Sequence, residues 1–163
     1  MQVKEAMTPD PVTCQVHDKV RVAAGLMRKN RIGGLPVLDG TTLVGIITDS
    51  DIISLLDTGR ISDDLWLPSP LEIIEVPIRE LVNWEKTRHA LTNIGDTEVR
   101  KVMSSPPITA DAEMEIEEAA SLMLHRKITR LPVLDKGRLV GIITRADVVN
   151  AVGAAHTAEG GGQ

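Results

Sequence analysis

The feature that most constrains this chain is a long motif that occurs twice. Leu-Pro-Val-Leu-Asp, followed shortly by Leu-Val-Gly-Ile-Ile-Thr-x-x-Asp, lies at Leu35–Asp51 and again at Leu131–Asp147. In the same register Met7 matches Met103, and Ala-Ala-x-Leu-Met precedes both copies. A structural unit repeated in this way buries its hydrophobic face against its neighbour. The sequence therefore predicts two similar lobes with the same surface features in the same place.

The residue pattern inside each copy predicts the order strand, helix, strand, strand, helix. The first strand is predicted at Val12–Val16, and Asp39-Gly40 is a hairpin signal between two short apolar runs. Asp18 and Asp111 are the candidate N-caps of the first long helix in each copy. Such a βαββα unit has an α/β (α+β) fold, in which a three-stranded sheet carries helices on one side.

The same pattern divides the chain into four parts. We expect the first repeat at 1–57, a connector at 58–96, the second repeat at 97–153 and a flexible tail at 154–163. A short helical lead-in is predicted before each repeat. The connector is predicted to hold an amphipathic helix that starts at Pro77, since proline suits a first helical turn. Trp84 on that helix would pack against a lobe or against a partner chain.

The composition argues against nucleic acid as a partner. The net charge is −5 and aromatic residues make up 1% of the chain, with no Phe or Tyr. Nucleic-acid binding depends on phosphate neutralisation and, for single strands, on aromatic stacking. The hydrophobic fraction of 42% is sufficient for an aliphatic core.

Compartment and chemistry follow from what the sequence contains. The single cysteine, Cys14, fits a reducing compartment and is predicted to be a buried hydrophobe rather than a nucleophile. No apolar run reaches the length of a membrane span and the N-terminus lacks a signal-peptide pattern, so we expect a cytoplasmic protein with no membrane contact. The four histidines have no metal-ligand spacing to each other or to Cys14, and no nucleophile motif is present. We therefore expect no metal site and no enzyme.

The candidate site is the Thr-x-x-Asp at the end of each repeated motif, at Thr48/Asp51 and Thr144/Asp147. One interpretation is a helix cap, in which the hydroxyl and the carboxylate satisfy backbone N–H groups. The other is a ligand site, in which the helix N-terminus receives a phosphate and the carboxylate accepts ribose hydroxyls. On this second interpretation the glycines of the motif would let a ligand approach the backbone closely.

The second copy is locally basic where the first is not. Arg130 stands directly before its Leu-Pro-Val, at the position of Gly34 in the first copy, and Arg145 follows the second Ile-Ile-Thr. Arginine is the favoured bidentate ligand of phosphate. The alternative is an ordinary surface cluster, or pairing with acidic residues of the connector. If one lobe holds a phosphate-bearing ligand, Arg130 is the predicted contact.

Together these motifs resemble a pair of CBS domains, the Bateman module, over about Met7–Leu56 and Met103–Val152. The resemblance implies a βαββα fold in each copy, with the two copies paired through their sheets in pseudo-twofold symmetry and a helical insert between them. It also implies a homodimer of such pairs.

The resemblance further implies a regulatory adenosyl ligand, namely AMP, ADP, ATP, S-adenosylmethionine or sometimes NAD, and no required cofactor. It assigns the ribose to the two Asp residues and the phosphate side to the two Thr residues of the Thr-x-x-Asp motifs. A basic residue at the position of Arg130 reaches phosphates in the regulatory subunit of AMP-activated kinase, and Gly34 departs from that pattern. The first-strand residues implied to line an adenine pocket are Thr13, Cys14, Gln15, Thr109, Ala110 and Asp111.

Two functions are compatible with these features. The first is a non-enzymatic sensor that binds an adenosyl ligand between the repeats and signals to a protein partner by a change in conformation. The second is a scaffolding pair that acts through dimerisation or a protein partner, with the Thr-x-x-Asp motifs as helix caps alone.

Overall fold

A computed structural model describes residues 1–57 and 88–159 of the chain, with side chains as far as residue 154. The predicted start of the connector helix at Pro77, and Trp84, lie outside the described residues. Residues 88–95 are helical and form α4. The predicted boundaries of the connector stay a prediction.

Both copies adopt the predicted βαββα order. The first consists of β2 (Cys14–Gln15), α2 (Val20–Asn30), β3 (Gly34–Asp39), β4 (Thr42–Thr48) and α3 (Asp49–Asp57). The second consists of β5 (Ala110–Asp111), α5 (Ile116–Arg126), β6 (Arg130–Asp135), β7 (Arg138–Thr144) and α6 (Arg145–Glu159). Each is preceded by a lead-in: α1 (Val3–Ala6) and β1 (Thr8–Pro9) before the first, and a 3₁₀ turn (Val99–Lys101) before the second.

The hairpins of the two copies have the same register. β3 pairs antiparallel with β4 and parallel with β2, and β6 pairs in the same way with β7 and β5. The turns place Gly40 and Gly137 at positive φ, where glycine carries no steric cost. The mixed α+β architecture expected from the sequence is confirmed.

Each lobe contains the lead-in of the other copy. Val3 is buried in the core of the second lobe, and Val99 is buried in the core of the first. The N–H of Val3 donates to the carbonyl of Met114 at 2.8 Å, and the N–H of Val99 donates to the carbonyl of Asp18 at 2.8 Å. The two copies are therefore joined by a reciprocal exchange of backbone segments.

This exchange corrects the expectation of a three-stranded sheet in each copy. The first sheet has the order β2-β3-β4, but β1 joins the edge of the second sheet, which has the order β1-β7-β6-β5. Thr8 pairs with Ile142 there, and in the first lobe Ser104 makes an isolated bridge to Ile46 at the equivalent place. The periodicity of a two-residue segment carries no signal for which lobe it will join.

Two predicted caps differ from the structure, and α6 extends beyond the predicted start of the tail. The N-caps of α2 and α5 are Lys19 and Glu115, neither of which makes a side-chain cap. Asp18 accepts the N–H of Gln15 at 2.8 Å, and Asp111 accepts the N–H of Glu113 at 2.9 Å, so both close tight turns before the helices. The helix α6 continues to Glu159, through residues for which the sequence predicts a flexible tail.

Candidate functional site

The two Thr-x-x-Asp motifs have the same geometry. Oδ2 of Asp51 accepts the N–H and the hydroxyl of Thr48 at 2.8 and 2.9 Å, and Oδ2 of Asp147 accepts those of Thr144 at 2.7 Å each. The Asp N–H returns to the Thr hydroxyl at 3.3 Å in both copies. The hydroxyl and Oδ2 are thus engaged in a helix cap in each lobe.

The cap leaves one oxygen of each carboxylate available. Among the residues that the structure describes, Oδ1 of Asp147 accepts no hydrogen bond, and Oδ1 of Asp51 has one long contact, 3.5 Å from the hydroxyl of Ser104. Both carboxylates are half-buried. A carboxylate oxygen in this setting can accept hydrogen bonds from hydroxyl groups of a ligand.

The N-termini of the two helices are less open than the sequence suggests. The first N–H of α3, at Asp49, donates to the carbonyl of Gly33 at 3.0 Å, and that of α6, at Arg145, donates to the carbonyl of Thr129 at 3.0 Å. The N–H of Ser50 is taken by the Asp49 carboxylate at 2.8 Å. The expected phosphate seat on free helical N–H groups is therefore occupied by protein groups in α3, and in α6 the first of these N–H groups is engaged.

Each motif opens into a cleft, and the two clefts are built from equivalent residues of the repeat. The Asp51 cleft has a volume of about 310 Å³ and the Asp147 cleft a volume of about 540 Å³. The lining of the Asp51 cleft is Ile46, Thr48, Ser50, Asp51, Ser104, Pro106, Pro107, Ile108, Lys127, Ile128, Thr129 and Arg130. The lining of the Asp147 cleft is Ile142, Thr144, Ala146, Asp147, Thr8, Asp10, Pro11, Val12, Arg31, Ile32, Gly33 and Gly34, in the same order, with Thr129, Arg130 and Arg145 in addition.

Each cleft lies between the copies rather than within one of them. The Asp51 cleft takes its Thr-x-x-Asp from the first copy and its opposite wall from the segment before β5 and the start of β6. The Asp147 cleft has the reverse composition. A molecule held in either cleft would contact both copies.

The structure brings six of the predicted site residues to these clefts and leaves the other six elsewhere. Thr48, Asp51, Thr144, Asp147, Arg130 and Arg145 line one cleft or both. The first-strand residues predicted to line an adenine pocket, which are Thr13, Cys14, Gln15, Thr109, Ala110 and Asp111, line neither of them.

The first-strand residues line neither cleft because β2 and β5 are two residues long and begin after the segments that form the cleft walls. Cys14 and Ala110 are in the two hydrophobic cores, and burial raises the pKa of the Cys14 thiol to about 12. Gln15 exchanges two hydrogen bonds with the backbone of Gly40, at 3.0 and 3.1 Å. The cleft walls come instead from the proline-containing segments just before these strands, 10–12 and 106–108.

The glycines of the motif are explained by the exchanged lead-ins and not by a ligand. A Cβ added to Gly45 would stand 2.6 Å from Sδ of Met103 and 3.0 Å from the carbonyl oxygen of Ser104. A Cβ added to Gly141 would overlap Sδ of Met7 and stand 3.0 Å from the carbonyl oxygen of Thr8. The expected close approach of a ligand at these glycines is therefore wrong, since methionine side chains occupy the space.

Arg130 is half-buried at the boundary of the two clefts. A Cβ on Gly33 would stand 2.8 Å from Nη2 of Arg130 and 2.8 Å from Oδ2 of Asp49, and a Cβ on Gly34 would stand 2.8 Å from Nη1. Burial lowers the pKa of Arg130, and the neighbouring Asp49 carboxylate opposes that change. The guanidinium therefore lies over the Gly33-Gly34 backbone, in the space that a side chain at the equivalent position of the first copy would need.

Two further cations line the clefts and were not singled out from the sequence as site residues. Arg31 and Lys127 are equivalent, both follow a helix in the left-handed region at φ 55°, and both are exposed. Each lines one cleft. The signal that could have found them is the recurrence of a basic residue at the same position of both copies.

The described residues contain neither a metal cluster nor a membrane-spanning helix. Within residues 1–57 and 88–159, no cluster of His, Cys, Asp or Glu side chains has an arrangement that could hold a metal ion. Over the same part of the chain, no helix combines the length and the apolar character needed to cross a membrane.

Comparison with known proteins gives consistent matches. The model of the CBS domain family matches residues 3–58 and 99–154. An uncharacterised protein of Methanocaldococcus jannaschii is 42% identical over 155 residues, which are 93% of this chain and 91% of that protein. The chloroplastic CBS domain-containing protein CBSX1 of Arabidopsis thaliana is 35% identical over 79% of this chain and 53% of that protein.

A solved structure extends the match to three dimensions. The crystal structure of CBSX2 of Arabidopsis thaliana in complex with AMP has a TM-score of 0.68 and 26% identity, and covers 95% of this chain and 98% of that one. These matches agree with the duplicated βαββα units and with the twin clefts between them in indicating one family. The chain belongs to the CBS domain family and contains two CBS domains in tandem.

Proposed function

We propose that this protein is a regulatory module that binds an adenosyl ligand in the clefts between its two CBS domains. The observation that carries the proposal is the pair of equivalent clefts, each with a half-buried Asp whose Oδ1 lies outside the helix cap. The related protein CBSX2 is known in complex with AMP. AMP is therefore the first candidate, and ADP, ATP, S-adenosylmethionine and NAD are the others.

The residues of each cleft have separate tasks in this proposal. Oδ1 of Asp51 or Asp147 accepts the ribose hydroxyls, because Oδ2 is engaged in the helix cap. The adenine lies against the apolar wall, which in the Asp147 cleft includes Val12 and Ile32. Arg130 supplies the cation for the phosphate, since a guanidinium pairs well with phosphate oxygens. No step of covalent chemistry is involved.

Signalling follows from the position of the clefts. A ligand that contacts both copies favours the arrangement in which both contacts are made, and it shifts the population toward that arrangement by its differential affinity. A protein partner that prefers one arrangement would then respond to the ligand concentration. We propose that the protein acts in this way without a catalytic step of its own.

We also propose that the protein is a homodimer. Leu124 on α5 and Val149 and Val152 on α6 are 68–69% exposed, although they are large and apolar. An exposed apolar patch of this kind marks a contact surface. Sedimentation analysis is expected to show a dimer for the native protein and a monomer for Val149→Asp. A native protein that sediments as a monomer at all concentrations would contradict the proposal.

The ligand proposal is tested by thermal unfolding with AMP, ADP, ATP, S-adenosylmethionine and NAD. A ligand at a hundred times its Kd stabilises the native state by about 2.7 kcal/mol. Asp147→Ala should reduce the response. Thr144→Val is the control, because it also removes the hydrogen bond between the Thr144 hydroxyl and Oδ2 of Asp147 but keeps the carboxylate. It should lower the basal stability and keep the response.

A scaffolding function without a ligand is the second candidate. It is favoured by the two helix caps, in which each Asp carboxylate already accepts two hydrogen bonds from protein groups. A flat response to the whole panel, with both variants merely less stable, would support it and would contradict ligand binding.

A further inference from the structure

We infer that the two clefts share a single arginine and therefore bind anionic ligands with negative coupling, so that phosphate in the Asp147 cleft weakens the binding of phosphate in the Asp51 cleft. This inference rests on the proposed function. It adds a reason why two clefts built from equivalent residues would not behave as two equal sites.

Arg130 has no basic counterpart in the first copy. Its position in the first copy is Gly34, which is buried and carries no side chain. Arg130 lines both clefts, whereas Lys127 lines the Asp51 cleft and its equivalent Arg31 lines the Asp147 cleft. If the repeat were exact, position 34 would also be arginine and each cleft would have an arginine of its own at this position. In this chain Arg130 alone serves both clefts.

The packing around Gly34 excludes a second side chain at this boundary. A side chain at Gly34 would meet Nη1 of Arg130 at 2.8 Å and the backbone oxygen of Ile47 at 3.0 Å. The guanidinium therefore occupies the volume that a second basic side chain would need. The repeat has room for one cation at this boundary.

The guanidinium of Arg130 is directed towards the wall of the Asp147 cleft. Both terminal nitrogens of Arg130 lie over Gly33 and Gly34, which belong to the wall of the Asp147 cleft. That cleft is also the larger one and has Arg31 and Arg145 in its lining. A phosphate-bearing ligand is expected to occupy it first and to engage Arg130 there.

Pairing of Arg130 with a phosphate in the Asp147 cleft weakens phosphate binding in the Asp51 cleft. The carboxylate of Asp49 already lies beside the guanidinium, so a phosphate must compete with it. Once Arg130 is paired with one phosphate, a second phosphate in the Asp51 cleft is left with Lys127 and meets a like charge across the boundary. A lost charge-assisted hydrogen bond corresponds to a roughly ten- to hundredfold weaker affinity. A ligand without phosphate should not experience this coupling.

The test is calorimetric titration of the full chain with AMP and with adenosine. Asp147→Ala disables the Asp147 cleft and so leaves Arg130 free for a ligand in the Asp51 cleft. We expect the remaining Asp51 cleft to bind AMP roughly tenfold or more tightly than the weaker site of the native protein does. Its affinity for adenosine should not change.

Two further variants identify the arginine as the cause. In an Arg130→Gln background, Asp147→Ala should no longer strengthen the Asp51 cleft for AMP. Lys127→Gln is the control, because it removes a cation from one cleft alone. It should weaken AMP binding there and keep the strengthening by Asp147→Ala. Urea unfolding of each variant establishes that it is folded at the temperature of titration.

The outcomes separate the two proposals. Two AMP sites of equal affinity, or a weaker site that is unchanged by Asp147→Ala, would overturn the shared arginine and leave the ligand proposal intact. Absence of heat with adenosine, AMP, ADP, ATP, S-adenosylmethionine and NAD would overturn both.

Discussion

The packing of the exchanged lead-in on β7 gives a prediction with a definite magnitude. Gly141 lies in β7 opposite Pro9 of the exchanged lead-in, at an ordinary φ that any residue can adopt. In Gly141→Ala the new Cβ would overlap Sδ of Met7 and stand 3.0 Å from the carbonyl oxygen of Thr8. The methionine can turn away, but the backbone oxygen moves only if β1 moves.

The expected magnitude follows from these contacts. Overpacking a well-packed position costs about 1–3 kcal/mol. The lower entropy of the unfolded chain with alanine returns about 0.4–1 kcal/mol. We therefore expect Gly141→Ala to lower the free energy of unfolding by about 1–2 kcal/mol. The equivalent Gly45→Ala should behave similarly, because Met103 occupies the same place in the other lobe.

The assay is urea unfolding, in which the midpoint reports stability when the slope is unchanged. Gly25→Ala is the matched control, because Gly25 lies in the interior of α2 with no atom within 4 Å of an added Cβ. It should stabilise the protein by about 0.5–1 kcal/mol. Met7→Ala should cost less in the Gly141→Ala background than in the native protein, since it removes the overlapping sulfur.

Either of two results would contradict the packing of Met7 and β1 on β7. Gly141→Ala could prove as favourable as Gly25→Ala, which would mean that the lead-in does not pack on β7. Alternatively, Met7→Ala and Gly141→Ala could be strictly additive, which would mean that the sulfur and the added methyl group do not meet.

Four other perturbations test the packing of the lead-ins, one helix cap and the buried thiol. Val3→Ala and Val99→Ala each remove a fully buried side chain from the opposite lobe, and each should cost about 1.5–3 kcal/mol in urea unfolding; a loss below 0.5 kcal/mol would contradict the exchange. Thr144→Val should cost about 0.5–2 kcal/mol through the lost cap, and an unchanged midpoint would mean that the cap is unimportant. Cys14 is 3% exposed and burial raises its pKa to about 12, so the unfolded thiol loses its proton at a lower pH than the folded one and stability should fall as the pH rises from the ordinary cysteine value towards 12. Thiol labelling of native Cys14 should match the rate of unfolding, and rapid labelling under native conditions would contradict this.

The hairpins were predictable from the sequence because local signals determine them. The apolar runs on either side of Asp39-Gly40 are short, and the positive φ of Gly40 suits a tight turn. In the second copy the same apolar runs lie on either side of Asp135-Lys136-Gly137, where Lys136 and Gly137 have positive φ, and the recurrence of the runs made the duplicated architecture predictable as well. The Thr-x-x-Asp motifs were equally local, and both hydrogen bonds to the carboxylate are found in each lobe.

The cleft walls were harder to predict because they depend on contacts between distant parts of the chain. The first-strand residues were placed in the site on the strength of a resemblance, whereas pairing with β3 draws Cys14 and Gln15 into the sheet. The segment that reaches the Asp147 cleft, around Pro11, has neither helical nor strand periodicity. Arg31 and Lys127 were likewise missed as site residues, since a basic residue after a helix usually only complements the helix dipole.

The departures from exact repetition are the most informative part of this chain. The repeat is exact at Gly45 and Gly141, because each glycine leaves space for a methionine side chain, Met103 at Gly45 and Met7 at Gly141. Where it fails, at Gly34 and Arg130, one residue must be small because the other is large and lies on top of it. The two positions therefore form one contact between the lobes, and substitution of either should be felt in both clefts. A duplicated module can in this way retain two ligand-sized clefts and still distinguish between them.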